Sequence, residues 1–136
     1  MAKVSRGIRN NNPLNIRKGS MWLGLSVFSD EFDNDFCVFT NVLYGLRAAM
    51  YLMTKYVFFY DKKNIEQIIN RWAPPSDGND TKVYISCVVG YWQSYVNKMQ
   101  DVFPYNGYFE VQTDTDLFYL LKAMCKIESN YVLSYT

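Results

Sequence analysis

Histidine is absent from the 136-residue chain, and that absence removes several chemistries at once. Ser-His-Asp and Cys-His nucleophilic machinery cannot be built, nor can His-containing zinc sites. Cysteine is scarce: Cys37, Cys87 and Cys125 are odd in number and too scattered for metal-ligand spacing. Each sits among apolar neighbours, so all three read as buried, reduced thiols in a chain made in a reducing compartment. An excess of one charge is also missing. Fourteen basic and 13 acidic residues give a net charge of +1, without the concentrated basic surface that nucleic-acid binding needs. The basic N-terminal stretch (Lys3, Arg6, Arg9, Arg17, Lys18) is broken up by asparagines and reads as a solvated face. No run approaches the roughly 18 apolar residues of a membrane span, so no membrane insertion is expected. The opening residues lack an apolar signal-peptide core, so synthesis in the cytoplasm is expected.

What is present is an ordinary globular composition, 49% hydrophobic and 20% charged. It fits a single domain over residues 1–136 with room for one core. Aromatic residues reach 18%; most are expected in the core, and the remainder suit stacking on sugar rings or partners. The chain reads as mainly α, with a small β or extended lobe. Asn10-Asn11-Asn12-Pro13 is turn material, and Phe36-Cys37-Val38-Phe39-Thr40 reads as a short strand. Asn41 caps a helix to about Tyr60, and Asn64 caps a shorter one that Pro74-Pro75 stops after Trp72. Asn79 or Asp80 opens a third helix, whose apolar face is expected at Tyr84, Cys87, Val88, Tyr91 and Tyr95. Residues 101–113 read as a connecting loop.

The final helix, expected from Asp114 to Ser129 with Asp114 as its cap, carries the sharpest signal. Advancing about 100° per residue places Leu117, Leu121, Met124, Cys125 and Glu128 on one side and Lys122 and Lys126 opposite. Glu128 therefore falls where a purely structural helix would carry another leucine. Desolvation raises the proton affinity of a carboxyl group, which is what a general acid acting near neutral pH requires. Fraying of the helix near Ser129, with Glu128 turned outward, is the structural alternative.

The segment Leu121-Lys122-Ala123-Met124-Cys125-Lys126-Ile127-Glu128-Ser129-Asn130-Tyr131 resembles the catalytic helix of soluble lytic transglycosylases. The resemblance implies Glu128 as the single acid/base and Ser129 near the departing sugar. A second resemblance is wider. Arg6-Gly7-Ile8-Arg9-Asn10-Asn11-Asn12-Pro13-Leu14-Asn15-Ile16-Arg17, Trp22-Leu23-Gly24, Tyr44-Gly45-Leu46-Arg47-Ala48 and Arg71-Trp72-Ala73-Pro74-Pro75 followed by Asn79-Asp80-Thr81 look like small phage and prophage lysozyme-like proteins. Two departures stand out. The Glu-Ser helix lies late in the chain, whereas transglycosylases carry it early, so a circularly permuted lysozyme-like fold is expected. In addition, Glu-Asn-Gly is replaced here by Glu128-Ser129-Asn130.

The resemblances imply cleavage of peptidoglycan glycan strands between N-acetylmuramic acid and N-acetylglucosamine, with no cofactor or metal. Delivery to the wall would need release, export or a virion, with a virion or secretion-system partner. Candidate substrate contacts are Ser129, Asn10, Asn12, Asn15, Trp72, Asn79, Asp80, Thr81 and Tyr84. Each has a structural alternative: turns for the asparagines, core packing for Trp72, helix capping for residues 79–81. Arg9, Arg17, Arg47 and Arg71 are expected to include buried pairs with acids. A hydrolase would need a second carboxylate; Asp30, Glu31, Asp33 and Asp35 are available, and their spacing singles out none. A transglycosylase needs only Glu128. A non-catalytic virion or wall-binding protein with the same fold is the alternative reading.

Overall fold

The computed structural model describes residues 4–96 and 107–133. It is mainly helical: α1 (Arg6–Arg9), α2 (Ser29–Phe32), α3 (Val42–Phe58), α4 (Ile65–Trp72), a 3-10 turn at Pro75–Asp77, α5 (Thr81–Val96) and α6 (Asp114–Ser129). The backbone contacts divide it into two units, one of Met1–Tyr51 with Met124–Thr136 and one of Leu52–Ala123.

The helix starts follow from local polar chemistry. Asn41 Oδ1 accepts from the Leu43 N–H at 2.9 Å. Asn64 and Gln67 form a reciprocal capping box, with Asn64 Oδ1 accepting the Gln67 N–H at 2.8 Å and Gln67 Oε1 accepting the Asn64 N–H at 3.2 Å. Asp80 Oδ1 accepts from the Val83 N–H at 3.3 Å. Helix α6 has the expected bounds but a different cap. Thr113 Oγ1 accepts the Asp116 N–H at 3.0 Å, and Asp116 Oδ2 accepts the Gln112 and Thr113 N–H groups. Thr113 and Asp116 thus share the capping work expected of Asp114.

In the first unit the extended lobe is not a sheet. Phe36 to Thr40 forms no strand; the segment makes isolated bridges from Phe36 to Arg17 and from Phe39 to Leu25. Backbone hydrogen bonds to separate segments hold it, such as the Cys37 N–H to the Ile16 carbonyl and the Phe39 N–H to the Asn10 carbonyl, both at 2.9 Å, and side chains add to them. Asn12 Nδ2 donates to the Ile16 and Cys37 carbonyls, both at 3.0 Å, while its Oδ1 accepts the Ile16 N–H at 2.9 Å. Asn11 Nδ2 donates to the Phe39 carbonyl. Asn11 and Asn15 have left-handed backbones, φ 54° and 52°, a conformation that asparagine tolerates better than most residues. Leu14, Ile16, Cys37, Val38, Phe39, Ala48 and Ala49 are buried in this unit.

In the second unit α4 packs on α5. Ile65, Ile68 and Ile69 of α4 are buried, as are Thr81, Ile85, Val88, Val89 and Trp92 of α5. This is a different face from the one expected on α5. Cys87 and Tyr91 are exposed, and Tyr84 and Tyr95 are half-buried. Trp92 is fully buried, with its indole N–H donating to the Asp116 carbonyl at 3.0 Å. The loop expected over 101–113 lies partly outside the described residues; from Gly107 it turns and Glu110 bridges to Asn64.

The aromatic expectation is also corrected. Among the described residues only Phe39 and Trp92 are fully buried aromatics, while Phe28, Phe32, Phe58, Phe59 and several tyrosines face solvent. Among the described residues no helix is long and apolar enough to cross a membrane.

Candidate functional site

Glu128 lies one residue before the end of α6, half-buried, with Met124 and Cys125 fully buried in the turn before it. The side-chain amide of Asn15 donates to Glu128 Oε2 at 3.2 Å across 113 positions of sequence. Asn15 Oδ1 is itself buried without a hydrogen-bond partner. The site thus holds a carboxylate, its orienting donor and an unused acceptor. Cys125, one helical turn before Glu128, is raised to about 12 by burial and by the neighbouring carboxylate. It is therefore a neutral thiol at physiological pH and no nucleophile.

The left-handed Asn15 backbone explains how the amide reaches Glu128. It follows Asn12, whose carbonyl accepts the Asn15 N–H at 2.9 Å. Asn12 is fully buried, and Asn10 is buried with its Nδ2 donating to Asp33 Oδ2 at 2.8 Å. Both are candidate sugar contacts in the sequence, with turn-holding as the alternative; their amides are engaged inside the fold, where they shape the segment that carries Asn15. Ser129 has the same kind of role. It is buried, its hydroxyl donates to the Pro13 carbonyl at 2.7 Å, and its own carbonyl accepts the Ser5 hydroxyl at 2.6 Å. It fastens the Asn-rich segment to the end of α6 instead of facing outward towards a leaving group.

Within the acidic segment, Asp33 alone is buried and held. Asp33 is buried and accepts two hydrogen bonds from Arg6, at 2.6 and 2.5 Å, and others from the Asp35 and Phe36 N–H groups. The Arg6 hydrogen bonds hold its carboxyl well below the usual carboxylate range, with desolvation opposing and the backbone N–H groups and Asn10 adding. Asp30 pairs with Lys18 at 2.7 Å. Neither the Arg6 pair nor its location was legible in the sequence: among the described residues Arg9, Arg17, Arg47 and Arg71 form no ion pair. Arg17 instead lies over the Phe36 ring, and Arg71 over Tyr56 and Tyr60.

The remaining candidates lie in the second unit. Asn79, Asp80 and Thr81 line a cavity of about 650 Å³ together with Glu66, Asn70 and Lys82. Thr81 is buried, and its hydroxyl donates to the Ala73 carbonyl at 2.7 Å, so its contact is structural. Trp72 is half-buried and packs obliquely on Tyr56, with ring centroids 6.4 Å apart. Tyr84 is half-buried and is not part of the cavity wall. Glu66 and Asn70, one helical turn apart on α4, complete a wall that the sequence did not single out, because they look like solvated helix residues.

No family model matches the chain. Over 90 residues it is 40% identical to Protein P5 of Pseudoalteromonas phage PM2, a stretch making up 63% of this chain and 54% of that protein. The chain thus spans about half the length of this curated relative.

Proposed function

We propose that the protein cleaves peptidoglycan glycan strands, with Glu128 as the general acid and then the general base. The observation that carries this reading is the Asn15–Glu128 contact. A half-buried carboxylate at a helix end is oriented by an amide from a distant, internally braced segment. In the proposed reaction Glu128 gives its proton to the glycosidic oxygen as the bond to the anomeric carbon breaks. The resulting carboxylate then takes the proton of the muramoyl hydroxyl that closes onto that carbon, leaving a 1,6-anhydro end. Asn15 is the positioning residue, holding Oε2 so that the other oxygen carries the proton. Of Asp30, Glu31, Asp33 and Asp35, Asp33 is withdrawn by its buried pair with Arg6, and a one-carboxylate route needs no second catalytic acid. The lysozyme-like, permuted fold belongs to the same proposal, as does delivery to the wall by release, export or a virion.

A second reading is a non-catalytic virion or wall-binding protein. It draws on the exposed apolar side chains Met21, Leu23, Val27, Phe28 and Phe32, which an assembled particle could cover.

The test is mass spectrometry of products released from purified peptidoglycan by the wild type and by Glu128→Gln. Anhydro-ended muropeptides from the wild type alone support the reading, and reducing-end products lost in the variant would move it to a hydrolase. No release by the folded wild type from walls of several kinds would replace catalysis with binding.

A further inference from the structure

We infer that the surface cluster of Lys55, Tyr56, Tyr60 and Arg71, where α3 and α4 end, binds carboxylate groups of the peptide stems of peptidoglycan. That the ligand is an oxyanion follows from the cluster itself; that it belongs to a wall polymer rests on the glycan-cleavage reading.

Two cations share one ring. The Arg71 guanidinium lies 5.0 Å from the centre of the Tyr60 ring and the Lys55 ammonium 5.6 Å from it, both within cation–π range. Arg71 also lies 5.8 Å from the Tyr56 ring, and the Tyr56 and Tyr60 rings are 6.2 Å apart. Burial raises the Tyr56 phenol, and the nearby Arg71 charge opposes that shift. Lys55 and Arg71 stand in the last turns of α3 and α4, where the helix dipole favours positive charge. Dipole and ring faces hold the two charges without using their N–H donors. Among the described residues no hydrogen bond or ion pair engages either one. The acid beside Tyr60 in sequence, Asp61, pairs with Lys63 at 3.3 Å, and Glu66 lines the cavity with Asp80 instead. With Lys62 also present, this stretch carries an excess of positive charge in a chain whose total is only +1.

A guanidinium and an ammonium offer donors only, so the missing partner is an acceptor that carries negative charge. The planar fork of an arginine takes two carboxylate oxygens at once. Phe59 and Tyr60, 81% and 41% exposed, give apolar area beside the two cations against which the body of a ligand can lie. An ion pair at such a surface contributes little by itself, so useful affinity needs many acid groups held close together. Peptide stems repeated along a glycan strand meet that requirement, whereas a free monomeric acid does not. Nucleic acid fits less well, because the positive excess is confined to one cluster and forms no stripe along the surface.

The experiment is cosedimentation of the full chain with insoluble peptidoglycan on ice, beside the same wall with its carboxyl groups converted to methylamides. Binding is expected to fall about tenfold or more on the amidated wall. Arg71→Gln and Lys55→Gln should each weaken binding to the native wall about three- to fivefold. Arg47→Gln removes an exposed cation of the first unit and should leave binding unchanged, which separates a local site from overall charge. Thermal melting of every variant separates loss of binding from loss of fold. Amidation spares phosphate groups, so undiminished binding to the amidated wall would point to a phosphate or to the glycan itself and overturn the inference. Wild-type affinity in both cluster variants overturns it too, as does an equal loss with Arg47→Gln or no binding by the folded wild type. Amidation-sensitive binding without release of muropeptides would sink the cleavage reading alone. Release by a protein whose binding ignores amidation would sink this inference alone.

Discussion

Gly7 faces the hydroxyl of Ser129 so closely that a β-carbon at Gly7 would overlap that oxygen. The same Ser129 oxygen donates to the Pro13 carbonyl, so the contact cannot relax without breaking a buried hydrogen bond. Gly7→Ala is therefore expected to destabilise the fold by about 1–3 kcal/mol, the usual range for overpacking, and to lower the melting temperature by several degrees. A melting temperature equal to that of the wild type would show that this junction yields easily.

Asn15 offers a way to separate backbone from side chain. Its left-handed φ of 52° suits glycine, so Asn15→Gly should fold while losing the donor on Glu128 Oε2. Loss of a hydrogen bond to a charged group, about 1.5–3 kcal/mol, corresponds to a roughly ten- to hundredfold fall in muropeptide release. Full activity in a folded Asn15→Gly protein would remove Asn15 from the proposed mechanism.

The Arg6–Asp33 pair predicts a specific acid response. Asp33 titrates well below the usual carboxylate range in the folded protein, chiefly because Arg6 donates to it. Its contribution to stability is therefore complete above the unfolded carboxyl value, about 4, and is lost progressively as the pH falls towards the folded value. Asp33→Asn should melt below the wild type at pH 7, and the gap should narrow below about pH 4. A gap of the same size at pH 7 and pH 3 would count against the pair as its source.

The three thiols should differ in reactivity. Cys87 is exposed on α5, whereas Cys37 and Cys125 are buried, and burial raises both of those above an ordinary thiol, Cys125 to about 12. Alkylation of the native protein near pH 8, read by peptide mass spectrometry, should modify Cys87 first. Labelling of the other two should wait for denaturant. Equal labelling of all three in the native state would contradict this burial pattern.

These cysteines also mark what the sequence could and could not reveal. Helix α6 was legible end to end, because an apolar stripe and acidic first turn are local signals; so were the caps at Asn41, Asn64 and Asp80. Helix α5 was not. It carries two stripes of similar spacing, Tyr84-Cys87-Val88-Tyr91-Tyr95 and Thr81-Ile85-Val88-Val89-Trp92, and the second is the one buried. Five bulky or sulfur-bearing residues made the first look more hydrophobic, and packing decided against it. The strand at 36–40 failed for a different reason: Cys37, Val38 and Phe39 are all buried, and their hydrogen bonds go to scattered backbone groups and to asparagine side chains rather than to one partner strand. Glu128 was singled out by its position among apolar neighbours. Its partner Asn15 was one of several asparagines with no local feature to separate it from Asn10 and Asn12, and only the fold distinguishes their roles.

The Ser5–Ser129 and Asn15–Glu128 hydrogen bonds join residues 124 and 113 positions apart. Contacts of that span form late, after the chain between them has been synthesised and its loop-closure entropy met. During translation the Asn-rich segment emerges long before the helix end that receives it, and it has no carboxylate to orient in the meantime. The Asn15 contact on which the proposed role of Glu128 depends is consequently absent from the nascent chain until both ends of that span are made.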